Sequence, residues 1–367
     1  MNCDLARLSF ALVLAAGVAA EDAPVPPPPP VADPTAPAAT APAAPTADPA
    51  KVPAKSAAPG AVGGTSRGNR TAALAGAASA ETQPPLSVRL ELTGGYDSNI
   101  VLETVNNAFD TGRDGLALGA NVRGIWRAVR SPTAQLNVIG DVRYAAYPEV
   151  SEANLLRTSV AAYGQLHWGA IDPNALVSAE RMWLDGDGLA TVLRGVIGAA
   201  RQATDRTSID ALNLEAAWID LDKNDGASGV LVDVAYRHWF LLDGDHPRRR
   251  IEAMLTAGKY LADLDQESFA LVKPTVGFIW RFGERRPVDG TWDVNANASL
   301  ELRWFDEGAT GTKAEGQDLW SVAGGADRWW SSWLTTGAYA GYVLRNSNIN
   351  GRDYARTQVG VRLGATW

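Results

Sequence analysis

Bases and acids recur two residues apart on segments that otherwise alternate between polar and apolar: Arg89-x-Glu91, Asp141-x-Arg143, Glu301-x-Arg303. On an extended strand, residues i and i+2 share a face, so each pair projects to one side. Such a face does one of two things: it neutralises itself as ion pairs, or its excess charge concentrates counter-ions near it. Residues for bond-making chemistry are sparse. The three histidines, His167, His238 and His246, are too dispersed for a metal motif, and there is no G-x-S-x-G elbow. Gly60, Gly63 and Gly64 lack the lysine of a phosphate-binding loop. The only cysteine is Cys3, near the N-terminus. No cofactor or metal is expected, and the expectation is that the chain is not an enzyme. A barrel-embedded hydrolase in which His167 meets a serine across strands stands as a remote alternative, since triads are defined by geometry and not by chain order.

The elements that must carry these charges are strands. In TWDVNANASLELRWF (291–305), Trp292, Val294, Ala296, Ala298, Leu300, Leu302 and Trp304 take one parity; Thr291, Asp293, Asn295, Asn297, Ser299, Glu301 and Arg303 take the other. The same rhythm predicts strands near 86–96, 115–128, 134–146, 155–168, 175–184, 189–202, 209–219, 229–241, 251–261, 269–282, 291–305, 319–330, 333–345 and 354–367. The alternation is muddled at 175–184, 189–202 and 319–330. About fourteen strands (12–16), each long enough to cross a bilayer at a tilt, point to an all-β, transmembrane, antiparallel up-and-down β-barrel. Connections at one side are long (97–114, 306–318) and at the other short (129–133, 169–174, 331–332). Trp126, Trp168, Trp280, Trp304, Trp329, Trp330 and Trp333 fall near strand ends, where interfacial girdles place them.

Ahead of the strands the composition changes. Residues 1–20 read as a signal peptide, Arg7 preceding the apolar run LSFALVLAAGVAA. Residues 21–85 are rich in proline and alanine, with almost no large apolar side chain, and read as a disordered periplasmic tether. Residues 86–367 form the outer-membrane barrel. The acidic balance, -8 overall, and the lack of a basic block argue against a nucleic-acid partner.

GYDSNI (95–100), closing the first strand and opening the first long connection, resembles the start of several Gram-negative outer-membrane barrels, among them those of surface lipoprotein assembly modifiers. The terminal VRLGATW, ending in Trp367, resembles the C-terminal membrane-insertion signal of outer-membrane proteins. The resemblance implies the cell outer membrane, a lipid bilayer and lipopolysaccharide around the chain, and the barrel assembly machinery as a partner. In the assembly modifiers helical repeats precede the barrel; here the Pro/Ala segment stands in that place.

Lipid does not accept charge cheaply, so the polar parity is expected to line a lumen. The residues so placed are Arg89, Glu91, Arg123, Arg127, Asp141, Arg143, Arg157, Asp233, Arg237, Lys273, Arg281, Asp293, Glu301, Arg303, Arg356 and Arg362. Bases outnumber acids among them. The expected function is a channel for hydrophilic, anionic solutes or polymer, with the connection 97–114 as the candidate plug. The alternative is a secretion or assembly factor for surface proteins, with peptidoglycan, polysaccharide or a protein cargo as partner. Acidic connections such as DGDG (185–188), DLDKND (220–225) and ADLDQE (262–267) on the outer side are explained by solvation and turn formation.

Overall fold

The computed structural model describes residues 85–103, 108–110, 112–222, 225–242, 249–283, 288–306, 316–348 and 353–367. The expected leader and nearly all of the Pro/Ala segment lie outside these residues. In chain order the strands are β1 (Leu86–Asp97), β2 (Val101–Glu103), β3 (Ala108–Asp110), β4 (Gly115–Arg130), β5 (Ala134–Ala146), β6 (Leu155–Leu166), β7 (Asp172–Leu184), β8 (Asp187–Gln202), β9 (Ser208–Leu221), β10 (Gly229–Leu241), β11 (Arg249–Ala262), β12 (Phe269–Phe282), β13 (Trp292–Phe305), β14 (Gly316–Trp329), β15 (Leu334–Ser347) and β16 (Tyr354–Thr366). β2 and β3 pair only with each other, as a small hairpin within the first connection. The other fourteen form one closed barrel, each antiparallel to its sequence neighbour, closed by β1 against β16. All fourteen expected strands are present, and the transmembrane-type barrel is the fold.

Closure leaves the fourteen-stranded sheet without a free edge, which a bilayer requires because it offers no water to unpaired backbone groups. The seam runs from Arg89↔Thr366 to Asp97↔Gln358. Trp367 extends it by exchanging two backbone hydrogen bonds with Val88, at 2.8 and 2.9 Å. Midway along the seam, Tyr339 lies across two glycines. A Cβ at Gly360 would sit 2.6 Å from the Tyr339 hydroxyl, and one at Gly95 would meet the carbonyl oxygen of Val359 at 2.2 Å. Only glycine lets the ring and both backbones approach this closely.

Burial is inverted relative to a water-soluble sandwich. On β13, Trp292 and Trp304 are 42% and 50% exposed, while Asp293 and Glu301 are each 7% exposed. Cross-strand partners share a face, so the register carries this division around the barrel: Leu90↔Val122↔Val142 is an apolar row in which Val122 and Val142 are exposed, and Glu91↔Asn121↔Arg143↔Arg157 is a polar one. The apolar row faces outward into lipid and the polar row faces inward. Exposed aromatics gather at both ends of this belt. Trp126, Trp168, Phe282, Trp292, Trp330, Trp333 and Trp367 lie at the end with the short turns; Tyr96, Tyr144, Trp218, Trp304, Trp320 and Tyr342 lie at the other. Two girdles at headgroup depth are what an interfacial location selects.

One feature departs from the sequence reading. Trp329 does not belong to a girdle. Its odd parity on β14 turns it inward, where it is 9% exposed and donates from Nε1 to Asp293 Oδ2 at 3.1 Å. The stretch 185–188 holds an exposed turn, as expected of an acidic, glycine-containing connection. Asp185 and Gly186, with φ of 49° and 85°, make a two-residue turn between β7 and β8, the geometry whose twist matches the flanking strands.

Candidate functional site

The inner wall is where polar chemistry collects. Strand register places Arg89, Arg123, Asp141, Ser159 and Glu180 on one inward row across β1, β4, β5, β6 and β7. Most charges there are paired, and the pairing runs along the wall. Arg89 bonds Glu91 at 2.7 Å and Arg143 bonds Asp141 at 2.6 Å, each within its own strand. Between neighbouring strands, Arg157 pairs with Glu180, Lys273 with Glu301 at 2.7 Å, and Arg281 with Asp293 at 2.6 Å. Arg303 gives Glu301 a second cation at 2.7 Å. Arg237 approaches Glu252 at 3.1 Å. Arg362 reaches from β16 over Gly337 of β15 to Asp327 of β14, at 2.5 Å; a Cβ at Gly337 would stand 2.1 Å from that carboxylate. Arg127 donates to Ser87 at 3.3 Å. Asp233 is 3% exposed on β10, on the inward face.

Arg123 differs. Its Nε is buried and has no partner among the described residues. The register sets it directly opposite Arg89 on one side and Asp141 on the other. Both carboxylate oxygens of Asp141 already accept from Arg143, at 2.6 and 3.4 Å.

GYDSNI turns out to be the fastening of the seam to the first long connection. Gly95 admits Tyr339, as above, and the Tyr96 hydroxyl donates to Asp114. Asp97 is fully buried and accepts from Arg356 at 2.5 and 3.0 Å and from Gln358 at 2.9 Å. Ser98 Oγ accepts from the backbone of Thr357 at 2.8 Å, and Asn99 donates to the carbonyl of Ala355 at 3.2 Å. Ile100, 1% exposed, packs with Tyr147, Val150 and Ala153 against Ala117 and Ala145 of the inner wall. Arg356 also donates to the Tyr147 hydroxyl at 3.2 Å, which ties β16 to the connection after β5. Burial pushes the Tyr147 phenol above its ordinary range, so it stays protonated at neutral pH.

The base of 97–114 therefore folds in over the barrel wall; the side chains of 101–111 are outside the description. A second connection, around Ala227, also turns inward. Leu221, Tyr260, Phe269, Leu271 and Phe305, all of inward parity, form an apolar cluster with Ala227, and the Tyr260 hydroxyl donates to the Ala227 carbonyl at 2.5 Å. At this end the acidic connections are tied down. Asp222 accepts from Arg181, and Asp306 from Lys259 at 2.6 Å.

Sequence reasoning missed several inward charges: Asp97, Glu180, Arg194, Glu215, Arg250, Glu252, Asp327 and Arg345. Arg194 and Glu215 lie 2.6 Å apart on β8 and β9. His167 sits in the turn after β6, its Nδ1 3.1 Å from Asp172, and His238 faces outward, 2.6 Å from Asp210.

No protein-family model matches the chain, and no curated protein matches it in sequence. Solved structures match it in shape. One described as a bacterial polysaccharide outer membrane secretin has 9% identity and a TM-score of 0.39, covering 76% of this chain and 98% of its own. A TodX monoaromatic hydrocarbon channel mutant has 9% identity and a TM-score of 0.43, covering 79% and 92%. CdiB from Acinetobacter baumannii has 9% identity and a TM-score of 0.42, covering 78% and 60%. The likeness is one of barrel form alone.

Proposed function

We propose that this chain is an outer-membrane channel, not an enzyme, and that it passes hydrophilic anionic solutes or polymer. The observation that carries the reading is the direction of ion pairing: Arg157–Glu180, Lys273–Glu301, Arg281–Asp293 and Arg362–Asp327 each run along the wall, between strands side by side or one apart. With strands about 4.8 Å apart and tilted about 40°, fourteen of them enclose a backbone diameter of about 28 Å. Side chains folded against the wall leave the axis of such a cylinder to water. The inner face carries more arginine and lysine than carboxylate, so its field favours anions.

The test is conductance of the purified full chain in planar bilayers under a salt gradient. The expected result is a stepwise current with a reversal potential on the anion side. That preference shrinks at higher ionic strength, because screening shortens the reach of the arginines to about 10 Å at 0.1 M. Replacing both Arg123 and Arg143 with glutamate moves the reversal potential toward cations; Val142→Leu, on the lipid face, leaves it alone. A clearly cation-selective wild-type current in dilute salt overturns the anion preference. A barrel with no conductance at all favours the alternative, an assembly or secretion factor for surface proteins.

A further inference from the structure

We infer that the inner wall of β1, β4, β5 and β6 holds a discrete oxyanion-binding site centred on Arg123, for a carboxylate or phosphate group carried by the solute. The inference rests on the channel reading only for the route by which the ligand arrives.

The register sets two pairs of like charges directly across from each other: Arg89 opposite Arg123, and Arg143 opposite Arg157. Like charges in this position destabilise a sheet, and nothing in strand pairing itself favours the arrangement. Four guanidinium groups thus occupy four consecutive strands of one wall. Three carboxylates stand among them, and each is engaged: Glu91 with Arg89, Asp141 with Arg143, Glu180 with Arg157. One guanidinium, that of Arg123, makes no ion pair among the described residues: Asp141, opposite it, already accepts from Arg143, and the Arg123 Nε is buried without an acceptor. A buried N–H of a charged group is costly until something accepts from it. An oxyanion does so in the planar, two-oxygen geometry that guanidinium matches and ammonium does not. Chloride supplies the charge without that geometry. The site therefore distinguishes oxyanions from halide, where a diffuse positive lumen responds to charge alone.

The experiment is isothermal titration of the detergent-solubilised full chain with sodium phosphate, against sodium chloride at equal ionic strength. It reads binding whether or not the barrel conducts, so a failed channel reading and a failed site give different results. The wild type is expected to show saturable phosphate uptake with no chloride counterpart. Arg123→Gln weakens it by about tenfold or more, the range for one charge-assisted hydrogen bond. Arg123→Lys keeps the charge but loses the planar fork, and still weakens phosphate binding; it also serves if the glutamine variant does not fold. Absence of saturable phosphate binding in the wild type overturns the site. So does an Arg123→Lys protein that binds phosphate as tightly as the wild type.

Discussion

At the residue scale the account turns on Asp97. It is fully buried, and its carboxylate answers the charge of Arg356. Removing one partner of such a pair strands the other charge away from water, which costs about 3–5 kcal/mol. Asp97→Asn is therefore expected to lower the unfolding midpoint of the detergent-solubilised barrel markedly; an unchanged midpoint would show that the pair carries no load. Tyr147 gives a second test. Its phenol pKa is raised in the folded chain by burial, so the folded state holds this proton more tightly than the unfolded one. That stability is fully present below the unfolded pKa of about 10 and is lost as pH rises beyond it. Alkaline unfolding in the wild type should contain a component that Tyr147→Phe lacks. Identical alkaline profiles would contradict the assignment.

At the scale of the element, the strands were legible because each has a clean period of two over most of its length, and this period is what an inner and an outer solvent impose. Where the reading blurred, the structure supplies the reason. In 175–184 the apolar Leu176, Met182 and Leu184 share the inward parity with Glu180 while Arg181 takes the outer one, so the alternation breaks and Glu180 went unassigned. On β14 small residues occupy both faces, Ala323 and Gly325 inward and Gly324 and Ala326 outward. Hydropathy then carries no phase, and Asp327 and Trp329 were not placed inside. Ending the first strand at 96 left Asp97 out of the wall it anchors. The long-range partners were never legible: Asp97 and Arg356 are 259 residues apart and meet only because the first and last strands close the ring. The seam makes its own prediction. Gly360→Val would drive a side chain into Tyr339 and the backbone of Gly94. Overpacking of this kind costs about 1–3 kcal/mol, and it falls on the pairing that closes the barrel. The variant should accumulate as unfolded chain on heat-modifiability gels, with partial rescue by Tyr339→Ala. Normal folding of Gly360→Val would remove the close-packed seam from the account.

For the whole molecule, the claim is that the charged face of the barrel is its inner, hydrated surface and the apolar face its lipid surface. The ion pairs, the two girdles and the inturned connections all take their meaning from that orientation. β13 is the strand on which to test it, because its alternation is unbroken from Trp292 to Trp304. Single cysteines placed along residues 293–302, in a chain whose Cys3 is replaced, would be exposed to a charged, membrane-impermeant thiol reagent after reconstitution in vesicles. The account predicts labelling with a period of two: Asn295, Asn297 and Ser299 react, while Ala296, Ala298 and Leu300 are protected and are instead quenched by a lipid-borne probe when carrying a fluorophore. Labelling of the apolar parity, or the same reactivity at both parities, would contradict it.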